Sequence, residues 1–231
     1  MSKVEELQSI SILAHDLKEP LITMRQLALS LDTSSPENLS KTKSALISLS
    51  ESALKQVSDL TKIARLENSL LPPALEPVSV PTICNEVSAE LQSVYTKNHK
   101  NLRTIYARRL PLALANREYL HSIIYNFTTN ALHYSDAHTY SILKVHSTKK
   151  HIIIEVRDKG PALPIKIWRQ LQKGPLSSPA PIAMRPNSSG LGLYISSQFA
   201  RQMQATIGAI RHHDGTTFYL TLPISKQLSL F

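Results

Sequence analysis

Glycine is scarce in this sequence and unevenly placed. The chain has 231 residues but 6 glycines, and none of them precedes Gly160. Long stretches without glycine favour helices, whereas tight turns and close backbone contacts favour glycine. We therefore expect two domains, a helical one over residues 1–70 and one with tight turns over residues 71–231.

Cysteine and long apolar runs are also nearly absent. The single Cys84 excludes an intramolecular disulfide and fits a reducing compartment. No run approaches the roughly twenty apolar residues that a membrane-spanning helix needs, and Met1 is not followed by a signal-peptide pattern. These observations predict a soluble, cytoplasmic chain, with any sensor domain lying outside it.

Acidic residues are outnumbered by basic ones. There are 26 Lys and Arg against 17 Asp and Glu, which gives a formal net charge of +9. The basic residues are scattered, and their longest clusters, Arg108-Arg109 and Lys149-Lys150-His151, are too short to form a groove for nucleic acid. The charge favours a nucleotide or an acidic protein partner over specific nucleic-acid binding.

Apolar residues recur at steps of three and four over residues 4–31 and again over residues 39–64. Turn-forming residues and Pro36 separate the two runs, so the pattern predicts a helical hairpin. Two helices alone bury too small a core. We therefore expect a homodimer in which two hairpins form a four-helix bundle.

A histidine beside a carboxylate flanks the apolar stripe of the first helix. A neutral imidazole nitrogen is a nucleophile for phosphoryl transfer, and Asp16 can take up the proton of His15. His-Asp-Leu-Lys-Glu-Pro-Leu at 15–21 resembles the H-box of sensor histidine kinases, in the form common among phytochrome-like kinases. The resemblance implies that His15 accepts the phosphoryl group, while an ordinary surface histidine is the alternative.

Two asparagines lie four residues apart on a predicted helix. Asn126 and Asn130 share a helix face, and because buried unpaired amides are costly, the pair suggests a polar ligand. The segment resembles the N-box of the same kinases, which implies that Asn130 ligates Mg²⁺ and Asn126 supports it. By the same resemblance, His133 lies near the phosphates, where lysine or arginine is usual, and Tyr134 lies near the adenine.

An Asp-Lys-Gly turn follows the predicted strand His151–Val156. It resembles the first glycine box, Asp-x-Gly-x-Gly, which implies that Asp158 accepts a hydrogen bond from the adenine amino group and Gly160 lets the backbone approach the base. Ala162 stands where the second glycine is expected. Its methyl group would crowd the nucleotide or exclude left-handed backbone angles.

Gly190, Leu191 and Gly192 precede an amphipathic helix and resemble the second glycine box. Backbone amides at a helix N-terminus form a phosphate site, so these residues are expected to contact the nucleotide. A closing strand follows, in which the resemblance places Thr216 and Thr217 near the base.

The order of these boxes resembles a sensor histidine kinase core along almost the whole chain. The resemblance implies an α-helical hairpin in a dimeric bundle, then an α/β sandwich of the Bergerat type that binds ATP and Mg²⁺. It further implies histidine autophosphorylation and transfer to a response-regulator receiver domain. One alternative is a degenerate, non-catalytic dimeric module, because Ala162, Ser188 and His133 depart from the motifs. Another is an ATPase of the gyrase or mismatch-repair type, which the preceding H-box hairpin disfavours.

The last five residues form a separate motif. Gln227–Phe231 resembles the Gln-Leu-x-Leu-Phe motif that docks bacterial proteins on the DNA polymerase sliding clamp. The alternative is that this tail packs against its own domain.

Overall fold

The structure is a computed structural model that describes residues 18–31, 36–68, 72–179 and 190–226. Two compact units are present, one containing the helices before residue 70 and the other the sheet with its helices. His15, Asp16, Ser188 and Gln227–Phe231 lie outside the described residues. Within the described ranges, no helix is both long and apolar enough to cross a membrane.

The first unit contains two helices, α1 over residues 18–29 and α2 over Pro36–Asn68. Pro36 and Glu37 begin α2, where a proline leaves no donor unsatisfied and an acidic side chain favours the helix dipole. Ala53 and Ile63 are buried on one side of α2. The predicted boundary at residue 70 falls between α2 and the first strand.

The second unit is built on a five-stranded sheet with the order β2-β4-β5-β7-β6. β2 pairs with β4 in parallel, and the other neighbours are antiparallel. A separate two-stranded sheet pairs β1 with β3. The strands are β1 (Glu76–Val78), β2 (Asn101–Tyr106), β3 (Ala113–Ala115), β4 (Tyr140–Ser147), β5 (His151–Arg157), β6 (Thr206–His212) and β7 (Gly215–Pro223).

Helices cover one face of this sheet. They are α3 (Val80–Lys97), α4 (Arg117–Tyr134), α5 (Ile165–Lys173) and α6 (Leu191–Gln202). Side chains alternate along β5, so that Ile152, Ile154 and Val156 are buried while Ile153 and Glu155 are partly exposed. α3 and α4 pack against the sheet, and α5 packs against the edge strand β6. The predicted order of a helical region followed by an α/β sandwich is confirmed.

Candidate nucleotide-binding site

Asn126 ties α4 to α6. Its side chain is buried, and its Nδ2 donates a hydrogen bond to Ser196 Oγ at 2.9 Å. Gly192 lies so close that a Cβ atom at this position would be 2.2 Å from Asn126 Oδ1. The structure thus gives Asn126 a supporting contact inside the domain, and it gives Gly192 a packing reason to be glycine.

Asn130 lies one helical turn after Asn126 and is partly exposed. Among the described residues, its side-chain amide has no hydrogen-bond partner. An amide oxygen is a ligand of the type that Mg²⁺ accepts, and Mg²⁺ commonly takes one or two protein ligands and completes its shell with water and substrate phosphates. Asn130 therefore fits the role of a single protein ligand to a nucleotide-bound Mg²⁺. In the ranges that the structure describes, no cluster of three or more His, Cys, Asp or Glu side chains could hold a metal ion.

Asp158 directly follows β5 and is a buried acceptor with 2% of its surface exposed. Thr216 N donates to its Oδ1 at 2.8 Å, and Asp158 N donates to Thr216 O at 2.9 Å. Burial raises the pKa of the Asp158 carboxyl to about 6, although hydrogen bonds from the backbone of Thr216 and Gly160 and the charge of Arg157 lower it. The group is thus mostly ionised at neutral pH and able to accept a hydrogen bond from an amino group such as that of adenine.

Gly160 brings the end of α4 against the turn that follows Asp158. A Cβ atom at Gly160 would be 1.9 Å from the backbone oxygen of Tyr134. The φ angle of Gly160 is not positive, so space rather than backbone conformation requires the glycine. The contact joins the N-box helix to the first glycine box. Tyr134 itself is partly exposed and His133 is exposed, both in the last turn of α4.

Thr217 lies on the opposite face of the sheet from Asp158. It pairs with Arg157 in the register of β5 and β7, and its Oγ1 lies 2.9 Å from His212 Nε2. Because strand side chains alternate, Thr216 takes the position on the face of Asp158. The structure therefore places Thr216 beside the buried carboxyl and Thr217 on the other face of the sheet.

Known proteins resemble the chain in both sequence and fold. Residues 115–226, which include Asn130 and Asp158, match the family of histidine kinase-, DNA gyrase B- and HSP90-like ATPases. The adaptive-response sensory kinase SasA of Synechocystis sp. is 25% identical over 95% of this chain and 59% of its own length. The chain thus spans about three fifths of that relative.

Solved structures agree with this match. Histidine kinase AdeS of Acinetobacter baumannii superposes with a TM-score of 0.67 and 15% identity over 92% of this chain and 98% of its own. Histidine kinase ThkA, solved in complex with response regulator protein TrrA, gives a TM-score of 0.70 and 12% identity over 94% of this chain and 61% of its own.

These sequence matches support a sensor histidine kinase core for this chain. The ATPase family also includes gyrase, but the sequence relatives that align over nearly the whole chain are kinases. The resemblance stated from the H-box, N-box and glycine boxes is confirmed at this level.

In this kinase core, Ala162 replaces the second glycine of the first box without backbone strain. Its φ angle is not positive, so the expected conflict with left-handed backbone angles does not arise. Gly190 has a φ of 67° immediately before α6, which begins at the buried Leu191. That conformation favours glycine, so the second box keeps its glycine where the backbone needs one.

Gly215 lies against Asp158 in the kinase core. From the sequence it was predicted only to begin the closing strand. Its φ is 140°, and a Cβ atom there would be 2.3 Å from Asp158 O and 2.7 Å from Asp158 Oδ1. The preceding Asp214 accepts hydrogen bonds from Lys159 and Arg157, which lower the pKa of its carboxyl to about 2. Asp214 is 55 residues from Lys159 and 57 residues from Arg157 in the sequence. The local His-Asp-Gly sequence therefore does not reveal that this turn contacts the segment around Asp158.

Proposed function

We propose that this chain is an ATP-dependent histidine autokinase of a two-component system. One observation carries the proposal: the domain that matches the ATPase family has an unpaired Asn130 amide on α4 and a buried Asp158 carboxyl next to the turn that Gly160 packs against the C-terminal end of α4. The H-box histidine precedes this domain in the same chain. Because ATP is the phosphoryl donor, we expect the reaction to take place in the cytoplasm.

Asp158 and Asn130 would hold opposite parts of the nucleotide. The Asp158 carboxylate accepts a hydrogen bond from the adenine amino group, and Thr216 keeps the carboxylate oriented through its backbone N–H. The Asn130 amide oxygen is the proposed ligand for Mg²⁺, which neutralises phosphate charge when it is bound. This division of roles separates base recognition from phosphate positioning.

Phosphoryl transfer would then use His15 and Asp16. A neutral His15 nitrogen forms a bond to the γ-phosphorus while the bond from that phosphorus to the bridging oxygen of ADP breaks, and Asp16 takes the imidazole proton. The phosphoryl group subsequently moves to an aspartate carboxylate of a response-regulator receiver domain. Catalysis of this type depends mainly on positioning and charge neutralisation.

We further infer that the helical unit forms a homodimer. In the single chain, α1 and α2 expose large apolar side chains that a second copy would cover. They include Leu21 at 49%, Ile22 at 53%, Leu29 at 77%, Ile47 at 49% and Leu54 at 67% exposure. Leu21 and Leu54 lie on helices that the sequence pattern assigned to a dimeric bundle.

The test is ATP-dependent labelling of the purified chain. With ATP labelled on the γ-phosphate and Mg²⁺ present, we expect a label that is lost in acid and retained in base, because phosphohistidine is acid-labile. His15→Ala is the matched control and should remain unlabelled. A chain that binds ATP but gains no label would instead be the degenerate signalling module, with Ala162 and His133 as its altered positions.

A further inference from the structure

Two turns outside the nucleotide motifs lie side by side next to the site. The turn between α3 and β2 contains His99, and the turn between α4 and β4 contains His138. Both residues have positive φ angles, 53° and 60°, and their rings stack with centroids 5.7 Å apart. His138 N donates to His99 O at 3.0 Å, and Asn101 N donates to Thr139 O at 3.2 Å. These contacts fix the position of the residue between His99 and Asn101, which is Lys100.

Lys100 caps the C-terminal end of the N-box helix. Its Nζ donates to Leu132 O at 2.8 Å and also to Ser135 O. Carbonyl groups at a helix C-terminus have no partner within the helix, and a cation there also favours the helix dipole. Desolvation lowers the pKa of the Lys100 ammonium, whereas the charge of Asp136 raises it. Lys100 thus caps the helix that carries Asn130.

Ser135 links the end of α4 to the first glycine box through a hydrogen bond with the backbone of Lys159. Lys159 N donates to Ser135 Oγ at 3.1 Å, and Asp136 N donates to Lys159 O at 2.9 Å. Lys159 lies between Asp158 and Gly160, so both of its backbone polar groups are held by the two residues that follow α4. The chain of bonds runs from Lys100 through Ser135 to the turn that carries the adenine acceptor.

We propose that Lys100 and Ser135 are positioning residues that set the spacing between Asn130 and Asp158. In this role they act through Asn130 and Asp158 and not through contacts of their own with nucleotide or Mg²⁺. A nucleotide that engages both side chains at once requires a fixed distance between them, whereas a nucleotide that engages Asp158 alone does not. The inference rests on the proposed function, because it assigns the two ends of the nucleotide to these two residues.

The test is isothermal titration of the full chain with a non-hydrolysable ATP analogue, with Mg²⁺ and separately with EDTA. For Lys100→Met we expect affinity with Mg²⁺ to fall about tenfold, while affinity in EDTA changes less than about twofold. Ser135→Ala should likewise weaken the affinity measured with Mg²⁺ and leave the affinity measured in EDTA nearly unchanged. Lys97→Met, on an exposed residue in the last turn of α3, is the matched control and should bind like the wild type.

Different results of these titrations would refute the positioning role of Lys100 and Ser135 and the proposed ATP-binding function. Equal weakening with and without Mg²⁺, or wild-type binding by both variants, overturns the positioning role. Circular dichroism checks folding; if Lys100→Met does not fold, Ser135→Ala decides the question by the same ratio of affinities with Mg²⁺ and with EDTA. A wild-type chain that binds no nucleotide under either condition refutes the proposed function instead.

Discussion

Replacing Gly160 with alanine should push the turn after Asp158 away from the C-terminal end of α4, because only a glycine fits between them. The added Cβ atom would be 1.9 Å from Tyr134 O, 2.7 Å from Tyr134 C and 3.3 Å from Ser135 N, and an ordinary contact needs at least 3.4 Å. The turn and the end of α4 must therefore move apart by about 1.5 Å, since all three neighbours are backbone atoms that no rotamer change can remove. Because φ at Gly160 is not positive, the cost is steric and not conformational.

The expected cost is about 1–3 kcal/mol of unfolding free energy, the usual range for overpacking, together with weaker ATP binding. Urea denaturation and titration with an ATP analogue measure the two effects. Gly208→Ala is the matched control, because its Cβ atom would meet the hydroxyl end of the partly exposed Tyr219 ring, which can rotate away. If Gly160→Ala unfolds at the same urea concentration as the wild type, the close approach of α4 to this turn is refuted.

Three further changes test other parts of the site and the dimer. Asn130→Ala should abolish the part of ATP affinity that depends on Mg²⁺ and leave binding in EDTA nearly unchanged; an equal loss in both titrations would argue against a ligand role. The pKa of Asp158 is raised to about 6, so its carboxylate is lost as the pH falls through that value, and nucleotide affinity should fall by up to about tenfold per pH unit below it. Asp158→Asn should lack this component of the pH profile, and identical profiles for both proteins would remove Asp158 from the adenine site. Ile47→Glu combined with Leu54→Glu should give monomers by light scattering because charges would occupy the apolar surface of α2. Lys41→Glu, on an exposed residue of the opposite face of α2, should leave the dimer intact; a dimer that survives the double change would place the interface elsewhere.

Local sequence patterns predicted the elements whose burial is regular. α3 buries Ile83, Val87, Leu91 and Tyr95 at intervals of four, and β5 alternates between buried and exposed residues, so both were recognisable from periodicity. The closing strand Gly215–Pro223 was predicted with the bounds that the structure shows. β5 ends directly before Asp158 and Gly160 of the first glycine box.

Contacts between distant segments could not be predicted in the same way. Positions 216 and 217 are both threonine, so only the register of β7 against β5 decides which of them lies on the same face as Asp158. In the sequence, Lys100 cannot be told from an ordinary surface lysine. Its proposed role depends on a contact with Ser135, which lies 35 residues later in the chain. The expectation that Gly160 lets the backbone approach the base likewise did not include the packing of Gly160 against Tyr134.

The most direct test of the central claim is the location of the phosphoryl group. The chain is incubated with ATP and Mg²⁺, digested at neutral to basic pH and analysed by mass spectrometry with fragmentation that preserves phosphohistidine. We expect a phosphoryl group on His15, and none on that peptide in the His15→Ala variant or without ATP. Phosphorylation of another residue with His15 unmodified, or an unmodified chain that nevertheless binds Mg²⁺ and ATP, would contradict this expectation.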